Sequence, residues 1–225
     1  MSAREPTAAE IEAGHAVYTP ALLAFYDVLV LQLSCRFAWG CPPAEILAVY
    51  DRHIGARHLD VGVGTGFFLD RCRWPVADPE VTLLDANAHA LRTAARRIRR
   101  LRPRTVQASV LGPVDLGDQR FDSIGASFLL HCLPGPVEQK ASAIVRTLGP
   151  HIAAGGVLFG STILGRGVRH NALGRRLMPI YNRRGIFSNL DDDADGLRRG
   201  LAAELTDPQV ELAGTVALFS ARAAP

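Results

Sequence analysis

The stretch 57–70, Arg-His-Leu-Asp-Val-Gly-Val-Gly-Thr-Gly-Phe-Phe-Leu-Asp, constrains this chain more than any other. Its apolar run 59–61 reads as a buried strand, and Phe67, Phe68 and Leu69 open a helix. Between them Gly62, Gly64 and Gly66 recur at every second position. A strand that turns through glycines into a helix brings bare backbone up to a ligand, and the helix start adds unpaired N–H groups and positive partial charge. The dinucleotide fingerprint G-x-G-x-x-G is not met, because Phe67 stands where its third glycine would be. Asp60, at the strand end, repels a pyrophosphate but accepts hydrogen bonds from an ammonium group.

Residues 81–87 read as a second buried strand, ending in Asp85, nineteen residues after Gly66. In an open α/β sheet ligands sit beyond the carboxyl ends of the strands, and an acid at the second strand end accepts from ribose hydroxyls. That logic serves NAD and S-adenosylmethionine (SAM) alike. The competing reading of Asp85 is an N-cap of the next helix.

Taken together, Asp60-Val61-Gly62-Val63-Gly64-Thr65-Gly66 resembles the first motif of class I SAM-dependent methyltransferases. The resemblance implies an α/β, Rossmann-like fold: a seven-stranded, mostly parallel sheet flanked by helices, with N-terminal lid helices and the last strand antiparallel. It also implies SAM as cofactor and S-adenosylhomocysteine as product. The implied cofactor contacts are Asp60, Gly62, Gly64, Thr65, Gly66, Asp85, Ala86, Asn87, Ser109, Val110 and Ser127. Tyr26-Asp27, Ser34, Arg36 and Trp39 fall at spacings similar to those of the ubiquinone/menaquinone C-methyltransferases, which implies Tyr26 beside the cofactor. A core tyrosine with a satisfied hydroxyl is the alternative.

The 225 residues suit one domain, with 48% hydrophobic and 21% charged residues. A net charge of +3 does not imply nucleic acid. Lys140 is the only lysine, and the arginine- and alanine-rich remainder hints at a GC-rich bacterial genome. The four cysteines form no C-x-x-C pair, so neither a zinc site nor a disulfide framework is expected. No signal segment opens the chain, and the apolar run 21–33 contains Asp27 and falls short of the roughly 20 residues a span needs. A cytoplasmic protein with no membrane partner is the expectation.

The chain divides into an N-terminal helical lid (1–54), a SAM-binding core (55–163), a substrate-pocket insertion (164–190) and a C-terminal helix and hairpin (191–225). Helices are expected over 21–33, 43–53, 88–101 and 137–152, with strands over 105–110, 121–128 and 157–163. The arginines at 92, 96, 97, 99 and 100 read as a solvated helix face, since no aromatic residue interleaves for base stacking. Ser109 stands where these enzymes often carry an Asp facing the adenine amino group. The Asn/Asp-Pro-Pro-aromatic motif of base-methylating enzymes is missing after the fourth strand, which argues against nucleic acid as substrate.

Asp191, Asp193, Asp195 and Gly196 mimic a calcium loop, but Ala202 stands where its bidentate Glu belongs, so an acidic helix start is preferred and no metal is expected. His131, among Leu129, Leu130, Cys132 and Leu133, is the candidate general base, with a loop-holding histidine as the alternative. Tyr18, His131, Tyr181 and Asn182 are the candidate acceptor contacts. The expected reaction is methyl transfer to a small-molecule acceptor through O, N or C, such as a natural-product intermediate. An NAD(P)-dependent oxidoreductase and a SAM-fold binding protein without methyl transfer are the rival readings.

Overall fold

The computed structural model describes residues 27–224. Seven strands form one sheet: β1 (Arg57–Val61), β2 (Glu80–Asp85), β3 (Arg104–Gln107), β4 (Phe121–Ser127), β5 (Ile152–Ile163), β6 (Thr206–Ala213) and β7 (Val216–Arg222). Their order is β3-β2-β1-β4-β5-β7-β6. The first five run parallel, and β7 inserts antiparallel between β5 and β6. The expected mostly parallel seven-stranded α/β sheet is therefore present. Strand order reverses between β1 and β4, the place where such sheets bind ligands.

Both faces are covered, as a parallel sheet requires. Helices α1 (Pro43–His53), α2 (Phe67–Arg71) and α3 (Ala88–Arg97) pack on one face, where Ile46, Tyr50, Leu69, Leu91 and Phe159 are buried. Helices α4 (Val137–Leu148) and α6 (Ala194–Leu201) cover the other, burying Ile144, Leu148, Leu197 and Leu201 against Leu59, Leu84 and Ile124. The α1 helix starts at a proline, which already has helical φ and no N–H to lose, and buries Ile46, Val49 and Tyr50 at i, i+3, i+4 spacing. A π-helix, Asp27–Ala38, precedes it. Residues 1–26, including Tyr18 and Tyr26, lie outside the described residues.

Three boundaries differ from expectation. The β3 strand ends at Gln107, because Ser109 forms a turn in which its hydroxyl accepts from the Leu111 N–H. The β5 strand begins at Ile152, not 157: Phe121 pairs with Ile152 and Ser123 with Val157, so the extra residues around Gly155-Gly156 bulge out. Residues 164–190 contain a full helix, α5 (Ala172–Arg183), which Asn171 caps by accepting from Gly174 N–H at 2.8 Å. The acidic run behaves as expected: Asp193 caps α6 by accepting from Gly196 N–H at 2.7 Å. Among the described residues no helix is long and apolar enough to cross a membrane.

Candidate active site at the carboxyl edge of the sheet

The three loop glycines all have positive φ, at 70°, 52° and 71°, which explains why no other residue suits them. Their surroundings differ. A Cβ on Gly62 would meet Leu129 at 2.9 Å, and one on Gly66 would meet Ala94 at 3.1 Å. These two are fixed by packing against the loop after β4 and against α3. Among the described residues, a Cβ on Gly64 would have no neighbour within 4 Å. Gly64 therefore presents bare backbone to open space, as a cradle for a bound nucleoside should.

Asp85 ends β2 and its Oδ1 accepts from the Asn87 N–H at 2.8 Å. The cap of α3 is Asn87, whose Oδ1 accepts from His89 N–H at 2.8 Å and Ala90 N–H at 3.3 Å. The N-cap alternative for Asp85 thus fails, and the side chain expected on the cofactor at Asn87 serves the helix instead. The Ala86 carbonyl accepts from the Gln107 amide, which ties the β2 and β3 ends together. Beside them Val110 is buried. The Thr65 side chain also departs from expectation: it is buried and its hydroxyl accepts from Arg97 at 3.0 Å. Arg100, in the 3-10 turn that follows α3, pairs with Asp70 on α2, so part of the arginine cluster stitches this segment to its neighbours.

Asp60 lies inside the sheet face, 4% exposed. The Tyr50 hydroxyl donates to its Oδ2 at 2.8 Å, and His58 Nε2 stands 3.4 Å from the same atom. Burial, with the Asp60 charge beside it, pushes the Tyr50 hydroxyl pKa well above its ordinary value. Nothing local in the expected helix 43–53 reveals that Tyr50 has a partner ten residues on.

The β4 strand ends in strain. Phe128 has φ 56°, an uncommon conformation for a bulky residue and one that gathers at functional sites. The Ser127 hydroxyl, just before it, is buried. An aromatic wall starts here: Phe128 meets His131 at 5.7 Å between ring centroids, and His131 meets Phe187 at 4.6 Å. Phe187 continues to Tyr181 at 5.0 Å and to Trp39 at 5.9 Å. Tyr181 thus adjoins this wall, and Phe128 and Phe187 are members of it that the sequence did not single out. Two bulky aromatics flanking polar residues were the available signal.

His131 is 3% exposed, and burial, with the Lys140 charge behind it, lowers its pKa to about 3. Its Nδ1 accepts from the Ile163 backbone N–H at 3.3 Å, so a neutral ring carries its proton on Nε2. The lone pair a general base needs is already engaged with β5. These observations favour the loop-holding alternative over the base. Asn182 also departs from its expected acceptor contact: its amide donates to Met178 O and Asn189 Oδ1 and its oxygen accepts from Asn189 N–H. Asn189 in turn donates to the Ile163 carbonyl at 2.8 Å. The insertion is thereby pinned across the end of β5.

One buried ion pair locks this arrangement. Lys140, 1% exposed on α4, donates to Asp192 Oδ2 at 2.7 Å and to the Ser188 carbonyl. The Ser188 N–H donates to the His131 carbonyl at 2.8 Å. Burial pulls both charges toward neutrality, lowering the Lys140 pKa and raising that of Asp192, while each partner opposes the other's shift.

The sequence and the fold have counterparts among known proteins. A family model described as a methyltransferase domain matches residues 59–158. The chain is 41% identical over 208 residues to the demethylluteothin O-methyltransferase of Streptomyces thioluteus, covering 92% of this chain and 90% of that one. It is 35% identical over 218 residues to the physcion biosynthesis cluster O-methyltransferase of Aspergillus chevalieri, covering 96% and 97%. The solved complex of DhpI with S-adenosylhomocysteine shares the fold, with a TM-score of 0.70 at 16% identity over 98% of this chain and 100% of that one. With the open cradle at Gly64, the acid at Asp85 and these relatives in hand, the chain belongs to the class I SAM-dependent methyltransferases and uses SAM as its cofactor.

Proposed function

We propose that the protein methylates a hydroxyl group on a planar, conjugated small molecule of natural-product type. The observation that carries this reading is the aromatic wall from Phe128 through His131 and Phe187 to Tyr181, which begins at the strained end of β4. Clustered aromatic side chains favour planar ring systems through offset and edge-on contacts. Similarity to two O-methyltransferases favours oxygen over nitrogen or carbon. A free small molecule fits better than nucleic acid, because the arginines of α3 and of the turn after it are partly spent on Thr65 and Asp70. We place the reaction in the cytoplasm of a bacterium.

When bound, SAM supplies an electrophilic methyl group on a sulfonium sulfur. The residues here bind, orient and exclude water, and orientation alone lowers such a barrier substantially. Asp60 receives the ammonium group, Asp85 the ribose hydroxyls, and Gly62, Gly64 and Gly66 let the backbone pass close by. Ser109, Val110 and Ser127 border the cofactor, and His131 acts by holding the β4 loop to β5.

The test is transfer of a labelled methyl from SAM to a panel of hydroxypyrones, hydroxyanthraquinones and naphthols. Labelled methyl ethers are expected. Label on carbon or nitrogen, or no transfer to any member, would overturn the acceptor class. For the cofactor contacts, Asp85→Ala is expected to weaken SAM binding by ~1.5–3 kcal/mol, the worth of a hydrogen bond to a charged acceptor. Calorimetry beside a melting curve checks it: unchanged affinity with a sharp fall in melting temperature would show a purely structural Asp85.

A further inference from the structure

A chain of hydrogen bonds runs beneath the glycine loop. The Gly55 N–H donates to Ser123 Oγ at 2.7 Å, and the same hydroxyl lies 2.8 Å from His58 Nδ1. The carboxylate gives the direction: Asp60 Oδ2 only accepts, so the His58 nitrogen that faces it at 3.4 Å, Nε2, is the donor, and in that tautomer Nδ1 accepts from the Ser123 hydroxyl. From the opposite element, α1, the Tyr50 hydroxyl donates to the same oxygen at 2.8 Å. His58 and Ser123 are fully buried and Tyr50 nearly so. Both donors converge on Oδ2, and among the described residues Oδ1 takes no hydrogen bond.

We propose that Tyr50 and His58 are positioning residues for the cofactor's amino-acid end. They clamp one oxygen of Asp60, fix the rotation of its carboxylate, and so present Oδ1 to the ammonium group. The proposal rests on the reading of Asp60 as the ammonium acceptor. Its physical basis is preorganisation: a carboxylate free to rotate loses entropy on binding, whereas one held by two donors has already lost it. The aromatic packing around the clamp serves the same end. Tyr50 stacks on Phe68 at 5.4 Å and meets Phe159 edge-on at 5.0 Å, and His58 lies over Phe159 at 5.8 Å, so neither ring has room to swing away.

The experiment compares two ligands by calorimetry, S-adenosylhomocysteine and 5′-methylthioadenosine. The second keeps the adenosine and sulfur but lacks the ammonium and carboxylate. Tyr50→Phe, which retains the ring and its packing, is expected to weaken S-adenosylhomocysteine about tenfold and to leave methylthioadenosine within about twofold. Ser123→Ala, which frees the His58 tautomer, is expected to act in the same direction by a few-fold, and supplies the test if Tyr50→Phe does not fold. Equal weakening of both ligands, or unchanged S-adenosylhomocysteine binding, would overturn the proposal. Asp60→Asn is the control that separates the two readings. If it fails to discriminate between the ligands, the ammonium reading falls and takes the clamp with it. If it discriminates while Tyr50→Phe and Ser123→Ala do not, the clamp alone is wrong.

Discussion

Gly64→Val is expected to abolish measurable binding of SAM and S-adenosylhomocysteine, a loss of at least ~10²-fold, while the protein still folds. Two effects combine. The backbone at Gly64 has φ 52°, where a β-branched side chain is strained by roughly 1–3 kcal/mol. The new methyl groups would also enter a space where, among the described residues, no atom lies within 4 Å of a Cβ at this position, the space proposed for the cofactor. Calorimetry and a melting curve on the same preparation check the result. Gly66→Val is the instructive contrast, since a Cβ there meets Ala94 at 3.1 Å, so its cost should appear in stability as well as in binding. Retained affinity in Gly64→Val would mean that the cofactor does not pass over this glycine.

The glycine loop and the two acids that flank it were legible in the sequence because they are written in local pattern. Glycine spacing, a strand ending in Asp60 and a second strand ending in Asp85 are all short-range signals, and the fold places them on one sheet edge. Side-chain direction was not legible. Thr65 and Asn87 sit in the motif, yet one turns to Arg97 and the other caps α3. The acceptor half was legible only in part, since its contacts are long-range. Phe187 reaches His131 across more than fifty positions, and Lys140 reaches Asp192 across as many. Periodicity along one element cannot register such pairs. The β5 bulge at Gly155-Gly156 hid the true start of that strand for a similar reason: its first pairing, Phe121 with Ile152, interrupts the register.

Lys140→Met carries the second large expected effect, a destabilisation of ~3–5 kcal/mol. The replacement keeps the length of the aliphatic stem but leaves the Asp192 carboxylate buried, 2% exposed, without a countercharge. The pH dependence follows from the raised pKa of Asp192. A carboxyl whose folded pKa lies above its unfolded value carries no penalty below the unfolded pKa, and the penalty grows as pH rises toward the folded value. Lys140→Met should therefore be closer to wild type at about pH 4 than at about pH 7. Denaturant melts at both pH values check this. The double variant Lys140→Met, Asp192→Leu should recover part of the loss, because no lone charge remains inside. A deficit independent of pH would show that packing of the stem, rather than the ion pair, sets the stability.

The consequence reaches the acceptor side. Lys140 also holds the Ser188 carbonyl, next to Phe187 in the aromatic wall, and Ser188 holds His131. Loss of the pair releases the wall without touching the glycine loop. The variant should keep S-adenosylhomocysteine affinity at temperatures where it is folded.

The central claim is the placement of the cofactor along the carboxyl edge, from Asp85 over Gly64 to Asp60, with its methyl-bearing sulfur toward Phe128. A crystal structure of the protein with S-adenosylhomocysteine tests it most directly. Ribose hydroxyls are expected on the Asp85 carboxylate, the ligand in contact with the Gly64 backbone, and the ammonium on Asp60 Oδ1. A ligand bound with its ribose away from Asp85, or with its amino-acid end away from Asp60, would contradict it.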